Sequence, residues 1–277
     1  MARMSERIAV PALAARSWPW LGRLLGSGAA VYVRSMLGLL LVWHLVALSI
    51  GNPALLPTPW LVAQDLYRLL LDGEIFDAAG TSLWRLALSF VIAAAVGLPL
   101  GFLMGLSRLA DDLIDPVVEL LRPISGIAWL PLALFIFGVG HELPIFIMTY
   151  VALFPILLNT LSGVRQTDPT LIRAARTMGV GRWVVVRQVV LPAALPSVLV
   201  GVRIAGGACW SALVAAELVG APSGLGFSIE WYRQLLMTPK VIAFIAVIAL
   251  LGYLTDRGLR YLQRRLTPWA TGIGDVP

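Results

Sequence analysis

The apolar residues of this chain fall in blocks of about 20, separated by short stretches that carry arginine, and that layout constrains the fold more than any other feature. A helix of about 20 residues crosses a hydrocarbon layer about 30 Å thick. Charged residues make up only 13% of the chain, where a soluble domain carries about 25%. The expectation is an all-α integral membrane protein with about six transmembrane helices. The spans are placed near 31–50, 83–106, 117–138, 145–163, 193–219 and 241–259.

Between the spans, composition changes in ways that suggest roles. Residues 1–30 carry Arg3, Arg7, Arg16 and Arg23 and read as a basic tail. Residues 51–82 hold Pro53, Pro57 and Pro59, then leucines at helical spacing from Trp60 to Phe76, which suggests an amphipathic helix on a membrane surface. The membrane core is taken as 83–262, and 263–277 as a second basic tail. Ser107 to Pro116 reads as a polar turn, and Gly140 to Pro144 as a tight one. Gly97, Gly101 and Gly105 form a ladder that lets another helix approach closely, and Pro99 should kink that span. The fifth span is rich in small residues (Gly201, Ala205, Gly206, Ala212 and Ala216 among them), which makes it the candidate seam with a second copy. Arginine bias sets orientation. Placing both termini in the cytoplasm puts nearly all loop arginines on that side and leaves chiefly Arg68, Arg233 and Lys240 outside.

The stretch 168–192 then lies in the cytoplasm, and it is far from a random loop. Asp168-Pro169 is a helix-start signal, with a capping acid before a proline at the first helical position. Ala174, Ala175 and Met178 follow at helical spacing, Gly179 and Gly181 break the helix, and a second run from Arg182 ends at Leu191-Pro192. This is a helix–glycine–helix element suited to being gripped by another protein.

Several functions are excluded or disfavoured by what is missing. The chain has no Gly-x4-Gly-Lys-Ser/Thr phosphate loop, and its only lysine is Lys240, so ATP cannot bind through that motif. His44, His141 and Cys209 are scattered, which gives no metal site and no catalytic cluster, and one cysteine excludes an internal disulfide. The net charge of +6 is arginine between apolar blocks, a topology signal rather than a nucleic-acid surface. Glu119, Arg122, Arg203 and Glu217 lie within predicted spans. Such groups face a protein interior or a water-filled path. Arg122 and Arg203 are candidates either for a pathway that attracts an anion or for structural ion pairs, and Glu119 and Arg122 are spaced to pair on one helix face. Glu217 sits where it could close an outer gate with the glycine-rich loop that follows. Trp129 and Trp210 are candidates for the cavity wall or for plain packing, while Trp60, Trp84, Trp231 and Trp269 suit the membrane interface.

Ala174-Ala175, three residues, Gly179, nine residues, Val189, one residue, then Leu191-Pro192 resembles the coupling loop of permease subunits of bacterial ATP-binding-cassette importers. Arg122-Pro123-Ile124, Ala128-Trp129-Leu130-Pro131, Phe137-Gly138, Ala215 to Gly220 and Gly224-Leu225-Gly226 are similar to the sulfonate, taurine and nitrate branch. The resemblance implies the type I importer permease fold in the bacterial inner membrane, with Arg173, Ala174, Ala175, Met178, Gly179, Val189, Leu191 and Pro192 engaging an ATPase. It also implies the partners: a second copy of the chain, two ATP-binding-cassette subunits holding ATP and Mg, and an extracytoplasmic solute-binding protein docking on 57–77 and 220–240. The chain itself would carry no cofactor and no enzymatic activity. Arg173 departs from the pattern, because the family has glutamate there.

Overall fold

A computed structural model describes residues 28–270. The chain divides into two units, Met1–Asn52 and Pro53–Pro277. The basic tail expected at 1–30 lies outside the described residues up to 27, and the end of the chain does so from 271. The first unit contributes one helix, α1 (Gly28–Ile50), long and apolar enough to cross a bilayer.

The second unit is helical throughout its described length: α2 (Pro59–Leu71), α3 (Glu74–Leu106), α4 (Arg108–Leu121), a 3-10 turn (Gly126–Trp129), α5 (Leu130–Phe137), α6 (Glu142–Arg165), α7 (Pro169–Thr177), α8 (Arg182–Val185), a π-helical turn (Val186–Val190), α9 (Leu191–Gly220), α10 (Leu225–Gln234) and α11 (Thr238–Leu266). Among the described residues five helices can span a membrane, or six if the bent pair α4–α5 is one crossing.

Helix ends overrun the apolar blocks that sequence marks. Hydropathy places the start of the second span at Leu83, yet α3 begins at Glu74, after Gly73 turns the chain at φ 79°. Phe76, expected in the surface helix, therefore belongs to α3, and α2 is the shorter surface element, capped by Thr58 with Pro59 in its first turn. The expected polar turn 107–116 is helix as well, because Ser107 caps α4 by accepting from the Ala110 amide. Backbone hydrogen bonding continues wherever a cap allows it, with no need for apolar side chains. At the far end, α11 runs to Leu266, beyond the expected tail boundary at 263.

The third expected span, 117–138, is two helices meeting at 80°. Pro123 cannot continue α4, Ser125 is extended (φ −63°, ψ 136°), and Pro131 starts α5. Gly126 sits at the bend because a Cβ there would collide with Val151 of α6.

α6 is the central helix, packed between α3 and α9, with Ile147, Met148, Ala152 and Ile156 fully buried. The glycine ladder of α3 explains the close approach. A Cβ on Gly101 would lie 2.6 Å from the Leu157 carbonyl oxygen and 2.7 Å from Thr160 Cβ, and Gly105 faces Val164 in the same way. Several small residues of α9 are packed within the chain. Gly201 meets Asn159 and the Pro155 carbonyl of α6, Gly206 faces Leu259 of α11, and Ala205, Ala212 and Ala216 are buried. Gly207 and Ser211 stay exposed.

α8, the π turn and α9 form one run of 39 residues, about 58 Å long at 1.5 Å per residue. The π turn closes with the Leu191 amide donating to the Val186 carbonyl, five residues back. Pro192 follows directly and has no amide to donate.

Candidate functional site

Three features along this unit carry chemistry. At the Glu217 end of α9, Arg85 of α3 is wholly buried, and so is Glu217. Arg85 Nη1 donates to Glu217 Oε1 and to the Ser223 carbonyl, both at 2.6 Å. Arg85 Nε donates to His141 Nδ1 at 3.1 Å, and Nη2 lies 3.0 Å from the same nitrogen. A guanidinium can only donate, so that ring nitrogen is the acceptor. Glu217 also accepts from Ser82 Oγ at 2.9 Å and from the Gly226 amide at 2.8 Å, while Ser82 Oγ accepts from the Leu225 amide. A carboxylate and a guanidinium out of water must be answered in this way, since each is costly when unpaired. Gly224 (φ 115°) and Gly226 are required because the loop backbone lies directly on the Glu217 side chain; a Cβ on Gly226 would sit 2.6 Å from Glu217 Cβ.

This cluster ties three segments distant in sequence: α3, the turn before α6 and the loop after α9. Beside it, α10 is fixed by Tyr232, whose hydroxyl donates to Glu74 Oε2 at 2.7 Å and whose ring stacks on Phe244 with Lys240 above it. Burial and the neighbouring Glu74 carboxylate hold the Tyr232 hydroxyl protonated well above the usual phenol range. On the solvent side of α10, Arg233 grips Glu230 and draws its carboxyl down to about 2. Trp231 and Leu236 are exposed there, as are Leu55 and Trp60 near α2. The two segments expected to dock a partner are joined by the Tyr232–Glu74 bond.

The second feature is a groove of about 550 Å³ beneath the α4–α5 bend, walled by α6 and α9. Its polar lining comes from Arg122, Ser125, Tyr150, Asn159 and Ser211. Arg122 forms no ion pair among the described residues, so the pair with Glu119 that helix spacing allows is not made. Tyr150 donates to the Leu121 carbonyl at 2.6 Å, at the helix end that the bend leaves open. Of the five candidate pathway residues, Arg122 alone lines this groove. Trp129 stands behind it with its ring 5.7 Å from that of Tyr150. Arg203 and Trp210 lie on a different face of α9. Arg203 Nε donates to Asp256 Oδ1 of α11 at 2.7 Å, and Trp210 packs on Gly252. Glu217 is committed to the Arg85 cluster. The second wall of the groove is Ile204, Ala208 and Ser211.

The third feature is the 168–192 element. Asp168 caps α7 by accepting from the Thr170 amide at 2.8 Å, and that bond holds its carboxyl below the ordinary carboxylate range. The helix ends with Gly179 at φ 76°, where the Gly179 amide donates to the Arg176 carbonyl and the Val180 amide to that of Ala175. This double closure is the Schellman arrangement, which needs a left-handed residue at the glycine position. α7 buries no residue. Arg173, Ala174, Met178 and Gly179 are exposed, with Met178 at 81%, and Ala175 is half-buried. The base is anchored, since Ile172 packs against Val164, Val190 and Ala194 where α6 and α9 meet. Val189 is half-buried within the π turn, and Leu191 and Pro192 begin α9.

Sequence reading missed Arg85, Ser82, His141, Tyr150 and Asn159. Only Arg85 left a signal, a charge two residues inside the second expected span. Among the described residues no group of three metal-ligating side chains comes together.

A bundle of membrane-crossing helices with a rooted, outward-facing helical knob at one end and a locked loop at the other defines a polytopic transport component. Residues 97–268 match the family described as the binding-protein-dependent transport system inner membrane component, and the chain belongs to that family. It is 39% identical to the taurine transport system permease protein TauC of Escherichia coli (strain K12), over 91% of this chain and 93% of that protein. It is 36% identical to the putative aliphatic sulfonates transport permease protein SsuC of Bacillus subtilis (strain 168), over 82% and 83%. The bicarbonate transport system permease protein CmpB of Synechococcus elongatus is also 36% identical, over 86% and 89%. Among solved structures, an inward-facing MetNI methionine ABC transporter chain superimposes with a TM-score of 0.61 at 22% identity, over 71% of this chain and 98% of that one, which shows the shared fold.

Proposed function

We propose that this chain is the membrane subunit of an ATP-driven importer for a small anion, with taurine and other sulfonates first and nitrate next. Two copies form the pathway, two separate ATP-binding subunits hold ATP and Mg, and an extracytoplasmic binding protein delivers the solute. The observation that carries the reading is the knob. A helix that buries nothing gains little from its own chain, yet this one is capped at both ends and rooted by Ile172 between two spans. That combination suits a rigid part whose remaining face is completed by another subunit. Closure of the ATPases would press the knobs and rock the spans.

The substrate class rests on Arg122 and on the relatives' printed solutes. Taurine, aliphatic sulfonates and bicarbonate share anionic oxygens, and a guanidinium without a partner carboxylate suits them. Asn159 and Ser211 supply further polar groups in the same groove. The seam between copies takes the exposed side of α9 at Gly207 and Ser211, so each copy contributes one wall of the pathway.

The test is reconstitution of the chain with its ATPase and binding protein in liposomes. Taurine-loaded binding protein should stimulate ATP hydrolysis and drive uptake, and Arg122→Gln should reduce uptake while assembly is retained. Uptake that needs only an ion gradient and no ATPase subunit would overturn the reading.

A further inference from the structure

The last third of α11 holds a basic pocket that transport does not use. Arg257, Arg260 and Arg264 are spaced three and four residues apart and share one helix face. With Tyr261 they line a small pocket of about 310 Å³. Among the described residues Asp256 is the one carboxylate paired with this group, and it is shared by Arg203 at 2.7 Å and Arg260 at 2.6 Å. Arg264 makes no ion pair among the described residues. Positive charge here therefore exceeds what the described residues answer.

Depth and surroundings indicate what answers it. The apolar run of α11 begins near Val241, and about 20 residues take it through a hydrocarbon core of about 30 Å, which brings Tyr261 to the headgroup level. Leu254, Leu262, Leu266 and Trp269 are exposed beside the arginines, so this surface is apolar on one side and cationic on the other. Two tyrosines brace it. Arg257 donates to the Tyr253 hydroxyl at 2.6 Å and Arg265 to that of Tyr261 at 3.0 Å, each guanidinium lying over the ring. Tyrosine at this depth is an interface residue. Among the described residues α11 buries only Ala243 and Phe244, and none of them covers this face.

We propose that Arg257, Arg260 and Arg264 bind the phosphodiester headgroup of an anionic phospholipid. The exposed leucines take its acyl chains, and the pocket anchors α11 to one leaflet. The chemistry is a phosphate held by several guanidinium groups, and the apolar flank assigns the source as lipid.

The purified full chain is titrated with phosphatidylglycerol, and separately with phosphatidylcholine, by native mass spectrometry. Wild type should prefer phosphatidylglycerol. The double variant Arg257→Gln, Arg264→Gln should bind it about 30-fold more weakly, equivalent to about 2 kcal/mol from two charges near the surface. Arg257→Lys with Arg264→Lys should keep most of the preference, which separates charge from damage to the fold. Equal phosphatidylglycerol binding by wild type and the glutamine variant would overturn the proposal. Displacement of the lipid by excess inorganic phosphate would reassign the pocket to a soluble phosphate group. Loss of ATPase co-purification in the glutamine variant, with lipid binding unchanged, would make it a protein contact.

Discussion

At one end of α9 Arg85 and Glu217 are buried and answered from within the chain; at the other a whole helix stands clear and buries nothing. Glu217 and Arg85 have no exposed surface to speak of, and the hydrogen bonds of Ser82, His141, Ser223 and Gly226 complete them. The knob makes its bonds locally, cap to first turn and glycine to last turn, and touches the rest of the chain mainly through Ile172. Damage at the first end should therefore be felt as lost stability. Damage at the second should be felt as lost communication in a protein that still folds.

The largest effect is expected at the buried end. Arg85→Met strands the Glu217 carboxylate without its cation, which costs about 3–5 kcal/mol. The variant should accumulate poorly in membranes and unfold at lower temperature in detergent. Adding Glu217→Leu should recover much of the loss, because apolar groups can replace a buried pair when both partners go. A single variant as stable as wild type would break the contrast. Next comes Gly179→Leu. At φ 76° a side chain costs about 1–2 kcal/mol, and the strain falls on the helix end that shapes the knob. Thermal unfolding should hardly change, while stimulation of the ATPase by loaded binding protein should fall sharply; normal transport would refute the handle.

The smallest effects sharpen the comparison. Asp168→Ala removes one cap, a small loss confined to α7, seen as faster amide exchange there. The cap's pH dependence has a definite sign. The Asp168 carboxyl titrates below its ordinary 3.8 in the fold, so its contribution is complete above that value and is lost as pH falls through the lower folded value. Exchange in α7 should thus be insensitive to this group around neutrality and rise only in acid. Arg173→Glu should change stability least, since Arg173 makes one exposed bond to the Pro169 carbonyl, and it should disturb coupling less than Gly179→Leu.

The sequence shows the spans and the knob plainly because both are periodic and local. Asp168-Pro169 and Gly179 act on neighbours a few residues away, and the structure has them where spacing says. Helix ends at Glu74 and Arg108 were not visible to hydropathy, since the left-handed turn at Gly73 and the Ser107 cap, rather than apolar side chains, set them. The bend at Ser125 shows as two prolines, but its 80° angle depends on Gly126 meeting α6. Arg85 was hardest to read. Near a span's edge a lone arginine passes for one that reaches the headgroups, and its partner lies 132 residues away. The faces of α9 were equally hidden. Glycine and alanine mark close approach, but not whether the approaching helix is α6 or a second copy.

The π turn at Val186–Val190 has a consequence for phase. Successive residues of an α-helix step round its axis by about 100°. One extra residue in a single turn therefore rotates everything before it by about that much relative to everything after it. Arg182–Val185 carries the knob, and α9 carries the groove wall, so this turn fixes the direction the knob faces relative to that wall. Deleting one residue there would leave an unbroken helix, the same caps and the same buried cluster. The knob would simply face the wrong way.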